Sequence, residues 1–370
     1  MMQTRKTVGL LFGGRSAEHE VSLQSAANVL RALDPERYDV VLVGIGRDGR
    51  WRLCGNGNGV GSGVKALAIT EGAPQVALLP GGNGVMIVLD GETSSRSLHL
   101  DAVVPVLHGP NGEDGTVQGL LQLANVPFVG SGVMGSAASM DKDIAKRLLR
   151  DAGLPVVPFV TVTRDKPLDY RSAVDALGSG DLFIKPANMG SSVGVARATN
   201  ADEFARACEN AFRYDEKLLV EKGVIGAREV ECSVLEDASG EVRASPLGEI
   251  APAGNHGFYS YDAKYIDADG AMMRIPAALP AEQAQKIQSL AIATFKALAC
   301  EAMARIDFFV DPNREETVFV NEANTFPGFT SISMYPKLWE AGGLPTRELM
   351  DILLDHAIAR HERRNALALV

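Results

Sequence analysis

The chain has 370 residues, of which 46% are hydrophobic and 22% are charged, a composition typical of globular proteins and a length that favours two or three domains. Its formal net charge of −10 argues against nucleic-acid binding, because cationic contacts to phosphate dominate that affinity. No apolar run could span a bilayer, no secretory signal is evident, and the four cysteines are scattered without a CxxC pair; we therefore expect a cytoplasmic protein with no membrane partner and no structural zinc.

Residues 1–138 predict an α/β unit built on a parallel sheet. Its strands are predicted from three buried apolar runs, at 6–12, 38–45 and 100–107. A helix between the first two runs ends near Leu33, before Asp34 and a proline. This strand–helix–strand order is typical of parallel sheets with helices on their faces. An Asp-Gly pair at 48–49 predicts a short hairpin, and the glycine-rich stretch 55–63 predicts a surface loop.

Two further α/β units are predicted over 139–221 and 222–370. The second unit opens with a helix over 139–153, for which Ser139 is the expected N-cap and Gly153 the expected C-terminal residue. Strands and helices alternate through the rest of both units. The predicted fold class is therefore α/β, with three domains of unequal size.

The stretch 184–195, "IKPANMGSSVGV", combines a lysine with a loop of small residues. In a Walker-type phosphate loop the glycines come first and the lysine begins a helix. Here Lys185 ends a strand and β-branched residues follow the loop, so we predict a strand–loop–strand hairpin. The backbone N–H groups of Gly190, Ser191 and Ser192 could then cover a phosphate chain, with Lys185 as a fixed cation beneath them. The alternative is a flexible hairpin with a surface lysine.

Acidic residues on two strands near the end of the chain predict a magnesium site. Asp307 lies on one strand, and Glu322 and Asn324 share one face of the next. Three oxygen ligands that leave room for water and phosphate suit Mg²⁺. Arg305 shares a face with Asp307 and could hold phosphate or a developing oxyanion. The alternative is a solvated edge or a buried ion pair.

The segment "LVEKG" (218–222) leaves the second unit as a strand. It places Glu221 and Lys222 at the crossing into the third unit. A crossing strand with free backbone groups could bind an adenine ring along its edge.

Eight stretches, in order along nearly the whole chain, resemble the ATP-grasp superfamily and, more narrowly, the D-alanine–D-alanine ligase family. They lie at 13–26, 107–121, 127–142, 185–195, 221–234, 258–265, 304–307 and 321–336. The insertion near 47–98 resembles the longer A-type subgroup. The resemblance implies a three-domain ATP-grasp fold with an N-terminal parallel α/β (pre-ATP-grasp) domain. The implied domains are 1–138 with part of the first D-alanine site, 139–221 with the phosphate flap, and 222–370 with a lid loop and the metal site.

The resemblance also implies an activity, namely ligation of two D-alanines for peptidoglycan precursor synthesis. In this family ATP phosphorylates the carboxylate of one D-alanine, and the amine of the second attacks the acylphosphate. A free carboxylate has no leaving group, and phosphoryl transfer needs positioning and charge neutralisation above all. The implied cofactors are ATP and two Mg²⁺ ions, which Mn²⁺ could replace, and the implied assembly is a homodimer.

On the nucleotide side, the resemblance implies contacts to phosphate, adenine, ribose and metal. The implied residues are Lys142 and Lys185 for the phosphates, Ser191, Ser192 and Val193 in the flap, Glu221 and Lys222 for adenine, Glu229 for the ribose, Lys264 in the ATP site, and Asp307, Glu322 and Asn324 for the two metal ions. Glu231 lies on the same strand face as Glu229 and is an alternative ribose ligand.

On the amino-acid side, the implied residues bind two D-alanines and an oxyanion. They are Glu18 for the first ammonium with His108 nearby, Arg305 and the Gly328 N–H for the oxyanion, and Lys264, Ser333 and the Met334 N–H for the second carboxylate. Tyr265 belongs to an aromatic lid and resembles a tyrosine that joins Glu18 and Ser191. The implied catalytic group is thus Glu18, Ser191, Tyr265, Arg305 and Gly328.

For several of these residues, a purely structural role is the alternative. Glu18 could be a first-turn acid favoured by the helix dipole, His108 could be a structural donor, and Tyr259 and Tyr261 could be packing aromatics. The segment 251–270 is expected to be a lid that orders with ligand.

Two competing functions remain. One is a ligase that makes the ester D-alanyl-D-lactate or a different dipeptide, although Tyr265 with Lys264 resembles the D-alanine–D-alanine type. The other is a non-catalytic nucleotide sensor on the same fold.

Overall fold

The structure is a computed structural model that describes residues 5–57, 63–89, 95–252, 271–311, 314 and 317–368. Most of the predicted lid, with Lys264 and Tyr265, therefore lies outside the described residues, as do Tyr259 and Tyr261. Among the helices of the described residues, none is long and apolar enough to cross a bilayer.

The N-terminal unit is built on a seven-stranded sheet. Its strands are β1 (Lys6–Gly13), β2 (Tyr38–Ile45), β3 (Trp51–Asn56), β4 (Gln75–Leu78), β5 (Val85–Leu89), β6 (Ser95–His99) and β7 (Ala102–Val106), in the order β6-β5-β4-β3-β2-β1-β7. Its helices are α1 (His19–Ala32), α2 (Thr116–Leu123) and α3 (Val133–Met140). Strand β1 lies between β2 and β7, and its apolar residues are fully buried.

The prediction of a parallel N-terminal sheet is correct only for β2, β1 and β7. Those pairs are parallel, whereas β2–β3, β3–β4, β4–β5 and β5–β6 are antiparallel. The physical reason is the length of the connections. Helix α1 lies between β1 and β2 and permits a parallel crossover, but only residues 46–50 separate β2 from β3, and so short a turn can join only antiparallel neighbours. The sheet is therefore mixed, and the predicted hairpin at 48–49 is its first antiparallel turn.

The central unit carries a four-stranded antiparallel sheet. Its strands are β8 (Phe159–Thr163), β9 (Leu182–Pro186), β10 (Ala196–Ala198) and β11 (Lys217–Lys222), in the order β10-β9-β11-β8. Its helices are α4 (Lys142–Asp151), α5 (Tyr170–Leu177) and α6 (Ala201–Ala211). Because β9 and β10 pair in antiparallel fashion, the predicted strand–loop–strand hairpin is present. Residues 187–195 form its loop, named the flap below.

Within its described residues, the C-terminal unit carries a five-stranded antiparallel sheet and three helices. Its strands are β12 (Arg228–Glu236), β13 (Val242–Pro252), β14 (Ala271–Arg274), β15 (Met303–Val310) and β16 (Val318–Asn324), in the order β14-β13-β12-β15-β16. The helices are α7 (Ala281–Ala297), α8 (Met334–Ala341) and α9 (Thr346–Asn365). Strands β15 and β16 are neighbours, as the metal-site prediction requires.

The start of helix α4 differs from its prediction. Ser139 belongs to α3, where its Oγ lies 3.5 Å from the sulfur of Cys300. Asp141 is the N-cap instead, because its carboxylate accepts the backbone N–H of both Asp143 and Ile144 at 3.1 Å. The prediction for Gly153 is correct, since this residue follows the helix with a φ of 74°, which favours glycine.

Replacing Asp141 with alanine is expected to destabilise the protein by about 1–2 kcal/mol, because α4 loses its N-cap. The loss includes an ion pair, since Lys217 Nζ lies 2.6 Å from Asp141 Oδ2. Asp141→Asn keeps the capping oxygen and loses only the charge, so it should recover most of the stability. The midpoints of urea unfolding measure both effects, and equal midpoints for wild type and Asp141→Ala would contradict the assignment.

Candidate active site

The flap is a tight turn anchored to the central sheet. Ser191 and Ser192 adopt left-handed φ angles of 51° and 58°, which are uncommon for residues with a side chain. The backbone N–H of Asn188 donates to Asp215 Oδ2 at 2.7 Å, and its side-chain amide donates to the same oxygen at 3.0 Å. The flap therefore leaves the sheet from a fixed base and turns over sharply at its serine pair.

Glu18 joins the N-terminal unit to the tip of the flap. It precedes α1, is 9% exposed, and accepts a short hydrogen bond from Ser191 Oγ at Oε1. Two glycines enclose its other oxygen: a Cβ added to Gly109 or Gly190 would lie 2.7 Å or 3.0 Å from Oε2. The implied contact between Glu18 and Ser191 is thus present, and a side chain at residue 109 or 190 would crowd the Glu18 carboxylate.

His108 is buried behind this contact. Its Nδ1 lies 3.2 Å from the carbonyl oxygen of Phe326 and its Nε2 lies 3.1 Å from Ser25 Oγ. Burial lowers the pKa of His108, although the nearby charge of Glu18 opposes this effect, so the ring is neutral. Because both ring nitrogens have protein partners, the geometry favours the structural-donor alternative for His108.

Glu113 is a second carboxyl beside Glu18, and sequence reasoning missed it. Its Oε2 accepts the N–H of Gly109 at 2.8 Å, and its Oε1 accepts the N–H of Phe326 at 3.3 Å. Burial, followed by the charge of Glu18, raises the pKa of Glu113 to about 8 despite these two bonds. Glu113 therefore connects the loop after β7 to the loop after β16. The acid in "HGPNGEDGT" was the only signal for it in the sequence.

The raised pKa of Glu113 predicts a pH effect on stability. Between its ordinary pKa and about 8 the folded protein keeps a proton that the unfolded chain releases, so the contribution of Glu113 to stability falls as pH rises through this range. Glu113→Gln cannot release a proton, and its stability relative to wild type should therefore rise between about pH 5 and about pH 8. Urea unfolding at several pH values measures this, and parallel pH profiles would refute it.

Four charged residues converge below the flap. Lys185 Nζ lies 2.6 Å from Glu221 Oε2, and the Lys185 side chain is only 12% exposed, so the surface-lysine alternative is wrong. Lys142 Nζ donates to the Met189 carbonyl at 2.7 Å and lies 3.6 Å from Glu322 Oε2. The two implied phosphate-binding lysines thus stand between the flap and the acids of the C-terminal sheet.

The implied adenine and ribose residues have different surroundings. Glu221 is buried, and its carboxylate already pairs with lysine, whereas Lys222 is exposed and its backbone N–H donates to the Pro158 carbonyl at 3.0 Å. Glu231 Oε2 lies 3.0 Å from Arg305 Nε. Glu231, the alternative ribose ligand, is therefore held in an ion pair. Glu229 also interacts with other groups of the protein, so both acids stay candidates for the ribose.

The implied metal ligands lie on adjacent strands in register. Asp307 is opposite Glu322, and Arg305 is opposite Asn324. Arg305 donates two bonds of 2.7 Å to the Asp307 carboxylate, and the Asn324 amide donates a third at 3.1 Å. Burial lowers the pKa of Arg305, but the charges of Asp307 and Glu231 outweigh it and raise that pKa well above its ordinary value. Arg305 is thus a permanent cation beside the acids.

The implied metal ligands suit a metal ion that binds together with phosphate. In the part of the chain that the structure describes, no three His, Cys, Asp or Glu side chains are grouped to hold a metal. Asp307, Glu322 and Asn324 offer two carboxylates and one amide oxygen, and Mg²⁺ would take its other ligands from phosphate and water. The metal would also compete with Arg305 for Asp307.

The implied oxyanion and second-substrate residues lie together after β16. Ser333 Oγ accepts the N–H of Thr330 at 2.9 Å. A Cβ added to Gly328 would lie 2.7 Å from Ser333 Oγ, so a side chain at 328 would displace the Ser333 hydroxyl. Met334 is the first residue of α8 and is buried. The Gly328 backbone and Ser333 are therefore close enough to face one ligand.

Two family models match this chain. The model described as "D-ala D-ala ligase N-terminus" matches residues 7–131, and the model described as "D-ala D-ala ligase C-terminus" matches residues 148–355. The chain belongs to the D-alanine–D-alanine ligase family. Two curated members are similar over nearly their full lengths. D-alanine–D-alanine ligase B of Bradyrhizobium diazoefficiens is 63% identical, over 98% of this chain and 96% of that protein. The ligase of Methylobacterium sp. strain 4-46 is 59% identical, over 97% and 93%.

Solved structures of family members have the same fold. The D-alanine–D-alanine ligase of Coxiella burnetii matches with a TM-score of 0.84 and 37% identity, over 98% of this chain and 96% of that one. The VanG D-Ala:D-Ser ligase of Enterococcus faecalis matches with a TM-score of 0.81 and 32% identity, over 96% and 100%. The ATP-grasp expectation for the fold is therefore confirmed, with the N-terminal sheet mixed.

Proposed function

We propose that this protein is an ATP-dependent, ADP-forming D-alanine–D-alanine ligase that makes D-alanyl-D-alanine for peptidoglycan synthesis. The observation that carries the proposal is the match of both family models, which together cover most of the chain. The clustering of charged groups below the flap supports it, because phosphoryl transfer depends on positioned cations.

The first half-reaction forms the D-alanyl phosphate. Glu18 holds the ammonium group of the first D-alanine, and Ser191 fixes the Glu18 carboxylate in place. Lys142 and Lys185 hold the ATP phosphates under the flap. Asp307, Glu322 and Asn324 would hold Mg²⁺, whose charge would offset that of the phosphates. These contacts orient the carboxylate and the γ-phosphate for in-line transfer.

The second half-reaction forms the peptide bond. Ser333 and the Met334 N–H hold the carboxylate of the second D-alanine, and its amine attacks the acylphosphate carbonyl. Arg305 and the Gly328 N–H stabilise the tetrahedral oxyanion. Phosphate then leaves with the C–O electron pair and takes up the proton that the attacking nitrogen releases.

Several finer points belong to this proposal. We propose three domains divided near residues 139 and 222, two Mg²⁺ ions per site, a homodimer and a cytoplasmic location. The ion stoichiometry is accessible to Mn²⁺ titration, and the assembly to light scattering.

The proposed activity is tested by an ADP-formation assay with ATP, Mg²⁺ and D-alanine. We expect D-alanine-dependent ADP release and D-alanyl-D-alanine detected by mass spectrometry. Because the fold neighbour VanG is a D-Ala:D-Ser ligase, D-serine and D-lactate are added in parallel reactions. Turnover only with D-lactate or D-serine present would select a ligase of different specificity. Nucleotide binding without ADP release would select a sensor.

A further inference from the structure

Lys146 is a buried lysine behind the implied phosphate-binding residues, and it was not among the residues predicted. It lies in α4 and is 1% exposed. Its Nζ lies 2.8 Å from Glu221 Oε1, while Lys185 Nζ lies 2.6 Å from Glu221 Oε2. One carboxylate, itself 2% exposed, therefore bridges two ammonium groups, and each of its oxygens is assigned to a different lysine.

The charge states of Lys146, Lys185 and Glu221 depend on one another. Burial lowers the pKa of Lys146 and the Lys185 charge lowers it further, while the Glu221 carboxylate opposes both. Burial alone would raise the pKa of Glu221, but the two lysines lower it to about 2. Removing one partner of a buried ion pair leaves an uncompensated charge, which is strongly unfavourable. The ion pair with Lys146 thus holds the Glu221 carboxylate in an orientation in which its second oxygen faces Lys185.

Helix α4 presents two lysines to the site. Lys142 and Lys146 are four residues apart and so lie on one helix face. Lys142 is 3.6 Å from Glu322 at the outer end, while Lys146 contacts Glu221 deeper in the protein. The Lys185 ammonium also interacts with the charges of Glu322 and Glu229, so these lysines are held among carboxylates at the place where the phosphate chain is proposed to bind.

We propose that Lys146 is a positioning residue for nucleotide binding: by holding Oε1 of Glu221, it keeps Oε2 turned toward Lys185 and so fixes the Lys185 ammonium where a phosphate binds. Lys146 itself does not touch the nucleotide. This inference rests on the proposed function, since the ligand is ADP or ATP.

The test is ADP binding measured by calorimetry with Mg²⁺, at a temperature where each variant is folded. Lys146→Met keeps the length of the side chain and removes its charge. We expect ADP affinity to fall about tenfold or more, and the KM for ATP to rise while the half-saturating D-alanine concentration changes by less than about twofold. ADP affinity equal to wild type in folded Lys146→Met would overturn the inference.

The double variant Lys146→Met/Glu221→Gln tests whether Lys146 acts through Glu221. Lys146→Met leaves the Glu221 carboxylate paired with Lys185, but the double variant also leaves the buried Lys185 ammonium without that carboxylate, so thermal stability should fall further. Lys146→Met should weaken ADP binding in the wild-type background and have little further effect in the Glu221→Gln background, because nothing then orients Lys185. Equal weakening in both backgrounds would mean that Lys146 acts independently of Glu221, and the inference would be wrong. Lys146→Leu is measured in the same way if Lys146→Met does not fold.

Lys217→Met is a matched control. Lys217 also pairs with carboxylates at α4, with its Nζ 2.6 Å from Asp141 and 3.3 Å from Asp143, but it lies outside the implied site. Its loss should lower stability and leave ADP affinity within about twofold of wild type. If Lys217→Met lowered ADP affinity as much as Lys146→Met does, the effect would come from α4 as a whole and the inference would be wrong. Absence of ADP binding in the wild-type protein would instead refute the proposed function.

Discussion

Glu322→Gln is expected to abolish D-alanine-dependent ADP formation while the protein stays folded. Glu322 is opposite Asp307 in the register of β15 and β16 and lies 3.6 Å from Lys142. Glutamine keeps the shape but loses the negative charge, so the remaining donors would bind Mg²⁺ poorly. Since the metal neutralises the transferred phosphoryl group, we expect turnover to fall by about 10³-fold or more.

A metal-specific readout separates this effect from misfolding. Wild-type ADP affinity should rise when Mg²⁺ is added, and that dependence should be lost in Glu322→Gln. Glu249→Gln is the control, because Glu249 is an ion-paired acid of the same sheet, 2.7 Å from Arg228. It is opposite Val230 of the buried core, on the sheet face away from the site. Wild-type turnover by Glu322→Gln would rule out the metal assignment.

The hairpin and the paired acidic strands were predictable because local sequence determines them. Val193 and Val195 at the end of the flap disfavour a helix there, and strand alternation places Glu322 and Asn324 on one face. The register between β15 and β16 could not be predicted, because pairing across strands depends on packing. It is the register that brings Asp307 opposite Glu322.

The parts that sequence reasoning missed depend on three-dimensional burial. The strands β4, β5 and β6 are short and only partly buried, so their apolar patterns were too weak to reveal an antiparallel extension of the sheet. Glu113 lies in a loop and Lys146 in a helix, and both residue types are common in such positions. Burial beside Glu18 and Glu221 shifts the pKa of each residue. Such burial cannot be predicted from the spacing of residues in the sequence.

Glu18→Gln is expected to raise the D-alanine concentration needed for half-maximal rate by about 10- to 100-fold, because a hydrogen bond to a charged group contributes about 1.5–3 kcal/mol. The Glu18 carboxylate is enclosed by Gly109 and Gly190 and bonded by Ser191, so it is oriented before substrate binds. Glutamine keeps the volume but presents no charge to the substrate ammonium. The KM for ATP should change little, since the implied phosphate contacts lie at Lys142 and Lys185.

Two further variants test whether Glu18 acts through this geometry. Glu20→Gln changes an exposed acid of the same helix, paired with Arg47 at 3.0 Å, and should leave the kinetics unchanged. Ser191→Ala should reproduce part of the Glu18→Gln defect by freeing the carboxylate, and the double variant should then show less than the sum of the two effects, because the residues act as one unit. Strict additivity would mean that Ser191 serves the flap alone, and the link between phosphate flap and amino-acid site would have to be abandoned.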